Sequence, residues 1–266
     1  MSREFSFKRR DSAKAVLLLH GMTGSPLELV YLAKAIYKAG YDVYCPVLPG
    51  HEGGLYAVKR PSWRDWYEFS LRQYDELKTR YADVSITGLC LGATLAAAVA
   101  EERKDVKGIA MLAPLTRPDG WAWPWYAFLL PLGLYTPLKY FYVFPERGAM
   151  GVKNEQIRER MKESFAQGDD ALDCFPLICL LELKRLSNFL LGRLGRIEAP
   201  LLMMHAERDD FASIESAERI FRGAGSANKE FVRLKDSYHL IAIDNEREFV
   251  AQKTVSFLNS LSPAAA

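Results

Sequence analysis

Short, continuously apolar segments alternate along the chain with segments whose apolar residues recur at helical spacing. The continuous segments predict buried strands, and the periodic segments predict helices. Strands are expected at 15–19, 41–48, 83–89, 106–113, 200–205 and 230–234. Helices are expected at 27–39, from 62 onward, at 90–102, and at about 214–222 and 247–261. Continuous apolar strands separated by helices predict an α/β fold with a parallel sheet covered on both faces.

The helix that begins at residue 62 has a clear start signal. Ser62 is followed three positions later by Asp65, the arrangement of a capping box in which each side chain binds the other residue's backbone amide. Trp63, Trp66 and Tyr74 then recur on one face. The pattern predicts a long helix whose aromatic side rests on the core.

The strand–helix alternation is interrupted between residues 115 and 196. Ten of the 32 aromatic residues fall between Trp121 and Phe144, and residues 120–138 carry no charge. Those 19 residues are long enough to cross a membrane, but they contain prolines at 124, 131 and 137, which interrupt a helix. We therefore expect a core formed by residues 1–114 and 197–266, with 115–196 inserted as an aromatic-rich helical cap.

Composition narrows the class of protein. The 266 residues include 35 basic and 33 acidic side chains, a net charge of +2, which argues against a nucleic-acid partner. Four cysteines are too few for a disulfide framework in a chain of this length, and no apolar segment follows the basic residues near the N-terminus. We expect a cytoplasmic protein with free thiols.

The predicted strand at 83–89 leads into Gly88-Leu89-Cys90-Leu91-Gly92, a G-x-S-x-G nucleophile elbow with cysteine in place of serine. The glycines suit a strained turn in which side chains would collide. The turn presents the thiol at a helix N-terminus, where the helix dipole favours a thiolate. Without its context, the same pattern is also compatible with a cysteine packed behind a helix.

An acid and a histidine follow in the order that this elbow implies. Asp209 and Asp210 come directly after the predicted strand at 200–205, and His239 follows the strand at 230–234. Nucleophile, acid and histidine therefore occur as Cys90, Asp209 and His239. Asp210 is the alternative acid. Asp236 and Asp244 flank His239 and are expected to be loop and helix-start residues.

Together these segments resemble an α/β-hydrolase, and the chain is most similar to bacterial carboxylesterases and monoacylglycerol lipases. The resemblance covers nearly the whole chain except the cap. The matching segments are Leu17–Gly24, Pro49–His51, Ser62–Trp66, the elbow, Ala206–Asp209 and Ser237–His239. The chain departs from these enzymes at the nucleophile, where they have serine, although cysteine elbows also occur in dienelactone hydrolases and polyhydroxyalkanoate synthases.

The resemblance implies a role for each matching residue. Cys90 would be the nucleophile, and His239 the general base and later the general acid. Asp209 would orient His239 and stabilise its charged form. The backbone amides of Met22 and Leu91 would hold the oxyanion.

Other residues are candidates for substrate contact. His51 lies in a loop that often lines such sites, with a structural role as the alternative, and the cap contributes Trp121, Trp123 and Trp125. His20 is expected to brace the loop after the first strand rather than to act as a base. No cluster of residues has metal-ligand spacing, so we expect neither a metal nor another cofactor.

Cysteine chemistry indicates the substrate. A thiol ionises more readily than a hydroxyl, but a thiolate is also a good leaving group, so attack on an unactivated ester tends to reverse. Attack on a thioester exchanges one thiolate for another. We therefore expect a hydrolase of activated esters or thioesters with an apolar acyl group. The alternatives are an acyltransferase or synthase that uses the same acyl-cysteine, and a non-catalytic binding protein. The expected partner is a small molecule rather than a membrane surface.

Overall fold

The described residues of a computed structural model form a seven-stranded sheet with helices on both faces. The description covers residues 4–10, 12–123, 125–145, 149–166, 172 and 174–261, with the backbone alone at 125, 145 and 164–166. The sheet has the order β1-β3-β2-β4-β5-β8-β9, and only the edge pair β1–β3 is antiparallel. This is the arrangement expected of an α/β-hydrolase.

The elements have the following bounds. The strands are β1 Phe5–Phe7, β2 Lys14–Leu19, β3 Asp42–Cys45, β4 Asp83–Leu89, β5 Ile109–Leu112, β6 Val143–Pro145, β7 Cys174–Pro176, β8 Leu201–Ala206 and β9 Lys229–Leu234. The α-helices are α1 Val30–Lys38, α2 Gly54–Val58, α3 Trp63–Lys78, α4 Leu91–Glu102, α5 Leu130–Leu134, α6 Leu138–Phe141, α7 Glu155–Ala166, α8 Leu177–Leu191, α9 Ile214–Gly223 and α10 Arg247–Ser260. Short 3-10 helices span Pro26–Leu29, Trp125–Leu129 and Leu194–Arg196.

Most of the predicted core elements are confirmed. The strand expected at 83–89 has those bounds, and the capping box forms: the Ser62 amide donates to Asp65 Oδ2 at 2.7 Å. Several features differ from the expectation. The strands predicted at 41–48 and 106–113 are shorter, spanning Asp42–Cys45 and Ile109–Leu112, and the pair β6–β7 was not predicted. The edge strand β1 and the five-residue helix α2 were not predicted, and a 3-10 turn precedes α1 because proline at residue 26 starts a new helical turn.

The helix after the elbow lies at the centre of the molecule. Every residue of α4 from Leu91 to Glu101 is buried, and its Ala-rich sequence keeps it thin enough to fit between the sheet and the helices α3 and α8. Because parallel strands end at one edge, β2, β4, β8 and β9 direct their following loops to the same side of the sheet. That side holds the candidate site.

The segment between residues 115 and 196, here called the cap segment, contains α5 to α8 and the antiparallel pair β6–β7. It is tied to the core at several points. Glu182 accepts a hydrogen bond from the Trp63 amide at 3.0 Å, and the Leu172 amide donates to the Thr23 carbonyl at 3.0 Å. These contacts join the segment to the start of α3 and to the loop after β2.

The uncharged stretch at 120–138 forms short helices and turns. Among the described residues, no helix is long and apolar enough to cross a bilayer. Pro131 lies in the first turn of α5 and Pro137 immediately precedes α6. The proline at 124 lies outside the described residues. Several side chains of this stretch are exposed, including Phe128 at 68% and Leu132 at 67%.

Candidate active site

Cys90 occupies a strained turn between β4 and α4. Its φ of 57° and ψ of −116° lie in a region that non-glycine residues rarely adopt. A Cβ on Gly88 would lie 2.1 Å from the Gly92 carbonyl oxygen, and one on Gly92 would lie 2.0 Å from the Leu19 carbonyl oxygen. Only glycine fits at either position, so the two glycines of the motif permit the turn.

The elbow is fixed by backbone hydrogen bonds. The Cys90 amide donates to the Leu112 carbonyl at 2.9 Å, and the Cys90 carbonyl accepts from Ala93 at 3.1 Å and Thr94 at 3.3 Å. The thiol thereby stands at the first turn of α4, with only 5% of the residue exposed. Anionic sulfur at this place is favoured by the helix dipole.

The structure brings Asp209 and His239 together beside the elbow. His239 Nδ1 donates to Asp209 Oδ2 at 2.8 Å. The other carboxylate oxygen, Oδ1, accepts from the amides of Phe211 at 2.7 Å and Ala212 at 2.8 Å. Asp209, His239 and Ala212 are buried, and Phe211 is partly buried. These hydrogen bonds fix the carboxylate and the imidazole in one relative orientation.

The charges of the site act strongly on His239. Burial alone would lower the pKa of its imidazole, but the negative charges of Asp209 and Cys90 outweigh burial and raise the pKa well above the usual value. Burial would likewise raise the pKa of Asp209, yet the charge and hydrogen bond of His239 hold it below its ordinary range. The site therefore favours the protonated form of the His239 ring.

His239 Nε2 is the ring nitrogen left for Cys90, because Nδ1 is bound to Asp209. The thiol is within reach of the ring. No hydrogen bond of normal geometry joins the two groups, and Nε2 has no such partner among the described residues. In unliganded sites, catalytic hydrogen bonds are often long or poorly aligned.

The neighbouring acids have different partners. Asp210 accepts from the His239 amide at 3.3 Å and from the Gly151 amide at 2.9 Å, and burial raises its pKa. Asp244 accepts from four backbone amides, those of Tyr238, Lys153, Asn154 and Asn245, at 2.8 to 2.9 Å. Both carboxylates thus connect residues 151–154 of the cap segment to the backbone of the His239 loop, and neither accepts a hydrogen bond from the imidazole ring. Asp236 forms an exposed ion pair with Lys153.

The amides of Met22 and Leu91 lie on the two turns that flank the thiol. No described group accepts a hydrogen bond from either amide. The turn that carries Met22 is braced by two buried histidines: His51 Nε2 accepts from the Thr23 amide at 3.3 Å, and His20 Nε2 accepts from the Leu48 amide at 3.0 Å. Burial lowers the pKa of His51 to about 4, so both rings act as neutral braces near pH 7.

The predicted tryptophans anchor the cap segment to the acid loop. Trp121 Nε1 donates to the Arg208 carbonyl and Trp123 Nε1 to the Phe211 carbonyl, each at 3.1 Å. Trp123 also lines a cavity of about 720 Å³ formed within the cap segment, where Leu134 and Leu180 line it too and, among the described residues, Arg219 is the one contributor from outside the segment. The side chain of Trp125 lies outside the described residues. Substrate contact by these tryptophans and by His51 stays a prediction.

Two functional candidates have no motif that could have revealed them. Glu28 places its carboxyl group beside the turn at Gly21, and Asp244 collects amides from two distant loops. Both side chains depend on loops that meet only in the folded chain. A buried acid in a polar loop has no periodic signal in sequence.

Comparison with known proteins identifies the family of the chain. A model of the family described as "Serine aminopeptidase, S33" matches residues 10–247. The chain belongs to this family. It is 30% identical over 252 residues to a thermostable monoacylglycerol lipase of Bacillus sp. (strain H-257), covering 94% of this chain and 92% of that protein. It is 27% identical over 261 residues to a carboxylesterase of Bacillus subtilis (strain 168), covering 97% of each.

Solved structures of similar proteins confirm the α/β-hydrolase fold. The monoacylglycerol lipase of Paleococcus ferrophilus superposes with a TM-score of 0.79 at 19% identity, over 98% of this chain and 100% of that one. A structure reported for LipS and LipT, two metagenome-derived lipolytic enzymes, gives 0.80 at 24% identity, over 96% and 97% of the two chains. At these identities the likeness establishes the fold.

Proposed function

We propose that this S33-family chain is an ester hydrolase of the carboxylesterase and lipase type with Cys90 as its nucleophile. The observation that carries the proposal is the buried pair of Asp209 and His239 with Nε2 left for the thiol. The lipase and carboxylesterase relatives support the reaction class. An intact acid–histidine pair next to the elbow also weighs against a purely binding role.

In the proposed reaction, the Cys90 thiolate attacks the carbonyl carbon and forms a C–S bond. The displaced electron pair moves to the carbonyl oxygen, where the amides of Met22 and Leu91 would stabilise it. When the tetrahedral intermediate collapses, the bond to the leaving group breaks, and His239 Nε2 donates its proton to that group. The acyl-cysteine is then hydrolysed: His239 takes a proton from water, hydroxide adds to the carbonyl, and the thiolate departs.

The cysteine favours thioesters over unactivated alkyl esters. Expulsion of an alkoxide competes poorly with expulsion of the Cys90 thiolate, whereas a thiolate leaving group is evenly matched with it. The cavity of about 720 Å³ supplies apolar surface for an acyl chain, since Leu134, Leu180 and Leu183 line it. Cys90 and His239 do not line this cavity, whose link to the elbow is Thr116: it directly follows Leu115, whose amide donates to the Cys90 carbonyl at 3.4 Å.

The test is a matched panel of p-nitrophenyl esters and acyl thioesters, from acetyl to dodecanoyl, with the native chain, Cys90→Ala and Cys90→Ser. We expect Cys90→Ala to lose at least about a 1000-fold factor in kcat/KM on every substrate. In Cys90→Ser, the ratio of kcat/KM for esters to kcat/KM for thioesters should rise. Retained turnover in Cys90→Ala would refute the proposal.

The same panel separates hydrolysis from acyl transfer. Each reaction is repeated with an added alcohol or a small thiol, and the products are quantified by mass spectrometry. Hydrolysis predicts the free acid as the main product at every acceptor concentration. Dominant capture by the added acceptor would identify an acyltransferase that uses the same acyl-Cys90.

A further inference from the structure

Glu28 is an acid that belongs to none of the motifs but lies against the turn that carries Met22. Its Oε2 accepts a hydrogen bond from the Gly21 amide at 3.4 Å. A Cβ on Gly24 would lie 1.9 Å from Oε1 and 2.6 Å from Oε2, so the carboxyl group fills the space that a side chain at residue 24 would need. Glu28 therefore supports the turn through its contacts with Gly21 and Gly24.

A gap at Gly21 separates the Glu28 carboxyl group from the nucleophile. The point where a Cβ of residue 21 would lie is 3.3 Å from Glu28 Oε2, 3.4 Å from Cys90 Cβ and 3.9 Å from Cys90 Sγ. The carboxyl group and the thiol therefore lie on either side of the space that a side chain at residue 21 would occupy. Because residue 21 is glycine, it places no side-chain atom between them.

The carboxyl group is enclosed although the Glu28 residue as a whole is partly exposed. Burial raises its pKa to about 7, against smaller opposing effects of the Gly21 amide and the His239 charge. The titratable groups that face it are Cys90 and His239 in the site and Cys45 at the end of β3, whose pKa is raised by burial and by the Glu28 charge. His20 at the start of this turn and His51, which accepts from the Thr23 amide, are neutral near pH 7.

We propose that Glu28 is a positioning residue for the nucleophile: it fixes the Met22 turn and places an ionisable group across the Gly21 gap from Cys90, so that its charge controls how readily the thiol ionises. The proposal rests on the function proposed above. When Glu28 is neutral, the thiolate of Cys90 faces only the imidazolium of His239. When Glu28 is ionised, its negative charge opposes the thiolate at short range.

The test measures thiol reactivity directly, without any ester substrate. Iodoacetamide is reacted with the native chain and with Glu28→Gln between about pH 5 and about pH 9, and alkylation of the Cys90 peptide is followed by mass spectrometry. Glutamine keeps an oxygen acceptor for the Gly21 amide but carries no charge. Glu52→Gln, which removes an exposed acid of the next loop, is the matched control, and Cys90→Ala gives the blank.

We expect the two rates to agree at the acidic end and to diverge through about pH 7, where Glu28→Gln becomes about 3- to 10-fold faster than the native chain. The control should follow the native chain throughout. A rate ratio that is the same at every pH would overturn the proposal and leave Glu28 a structural brace only. Because alkylation needs no turnover, this result is independent of whether the chain hydrolyses thioesters.

Discussion

Single side chains set the electrostatics of the candidate site, and His239 is the one on which they converge. Its ring lies between the carboxylate of Asp209, 2.8 Å from Nδ1, and the thiol of Cys90. Both groups favour the protonated ring, and the ring in turn holds the pKa of Asp209 below its ordinary range. Loss of Asp209 would therefore remove support from the protonated ring.

Asp209→Asn tests the orienting acid. The amide has no charge to stabilise the imidazolium, and it can present an N–H group to Nδ1 and reverse the tautomer. We expect kcat/KM to fall by about 1000-fold or more with little change in fold. Asp236→Asn, which alters an exposed acid of the His239 loop, should change kcat/KM less than about twofold. Equal losses in the two variants would contradict the role of Asp209.

The raised pKa of Glu28 predicts how stability depends on pH. Because its folded-state pKa of about 7 exceeds the ordinary value of 4.5, the native chain holds this proton more tightly than the unfolded chain. The associated stability is present below pH 4.5 and is lost as pH rises to about 7. Relative to the native chain, Glu28→Gln should therefore gain up to about 3 kcal/mol of unfolding free energy across this range. Urea unfolding of both chains at the acidic and the neutral end of this pH range measures the change. A difference in unfolding free energy between the two chains that stays constant with pH would contradict the prediction.

The sequence predicts the site residues that belong to motifs and misses those that do not. Cys90, Asp209 and His239 follow strand ends, and parallel strands end at one edge, so their convergence could be expected. Glu28 and Asp244 act through contacts between loops. Those contacts depend on how the Met22 turn, the cap segment and the His239 loop meet, which no local pattern encodes.

Among the secondary-structure elements, long periodic ones were predictable and short ones were not. The strand β4 and the helix α3 have the predicted position because a buried run and a capping box are local signals. The strand β1 has three residues and the helix α2 has five, too few to show periodicity. Their formation depends on pairing and packing against β3 and the neighbouring loops.

The strand–turn–helix element of the elbow depends on Gly92, which gives a prediction about stability. Gly92→Ala would place a Cβ 2.0 Å from the Leu19 carbonyl oxygen, so α4 or β2 must shift. We expect a loss of about 4 kcal/mol or more, or no folded protein. Gly195→Ala, where a Cβ meets no atom within 4 Å, should change stability by less than about 1 kcal/mol. Thermal unfolding of both variants measures these changes in stability. A loss of stability in Gly92→Ala as small as that in Gly195→Ala would contradict the packing described.

In the molecule as a whole, we propose that the cap segment supplies the surface that binds the acyl chain, because every described residue that lines the cavity except Arg219 belongs to it. Ala127 is a small residue in the wall of this cavity, so Ala127→Trp should fill part of it. We expect kcat/KM for decanoyl and dodecanoyl substrates to fall by about tenfold or more while acetyl substrates change less than about twofold. Tyr56→Trp, on an exposed residue outside the cavity, is the control. An equal change in kcat/KM for all acyl chain lengths would show that the cavity does not bind the acyl chain.

The covalent intermediate gives the most direct test of Cys90 as nucleophile. The native chain and Cys90→Ala are mixed with an acyl thioester, quenched in acid within the first turnovers, and analysed by intact and peptide mass spectrometry. The native chain should gain one acyl group on the Cys90 peptide, labile to hydroxylamine, and Cys90→Ala should gain none. Turnover by the native chain without an adduct on Cys90, or an adduct on another residue, would contradict the proposed mechanism.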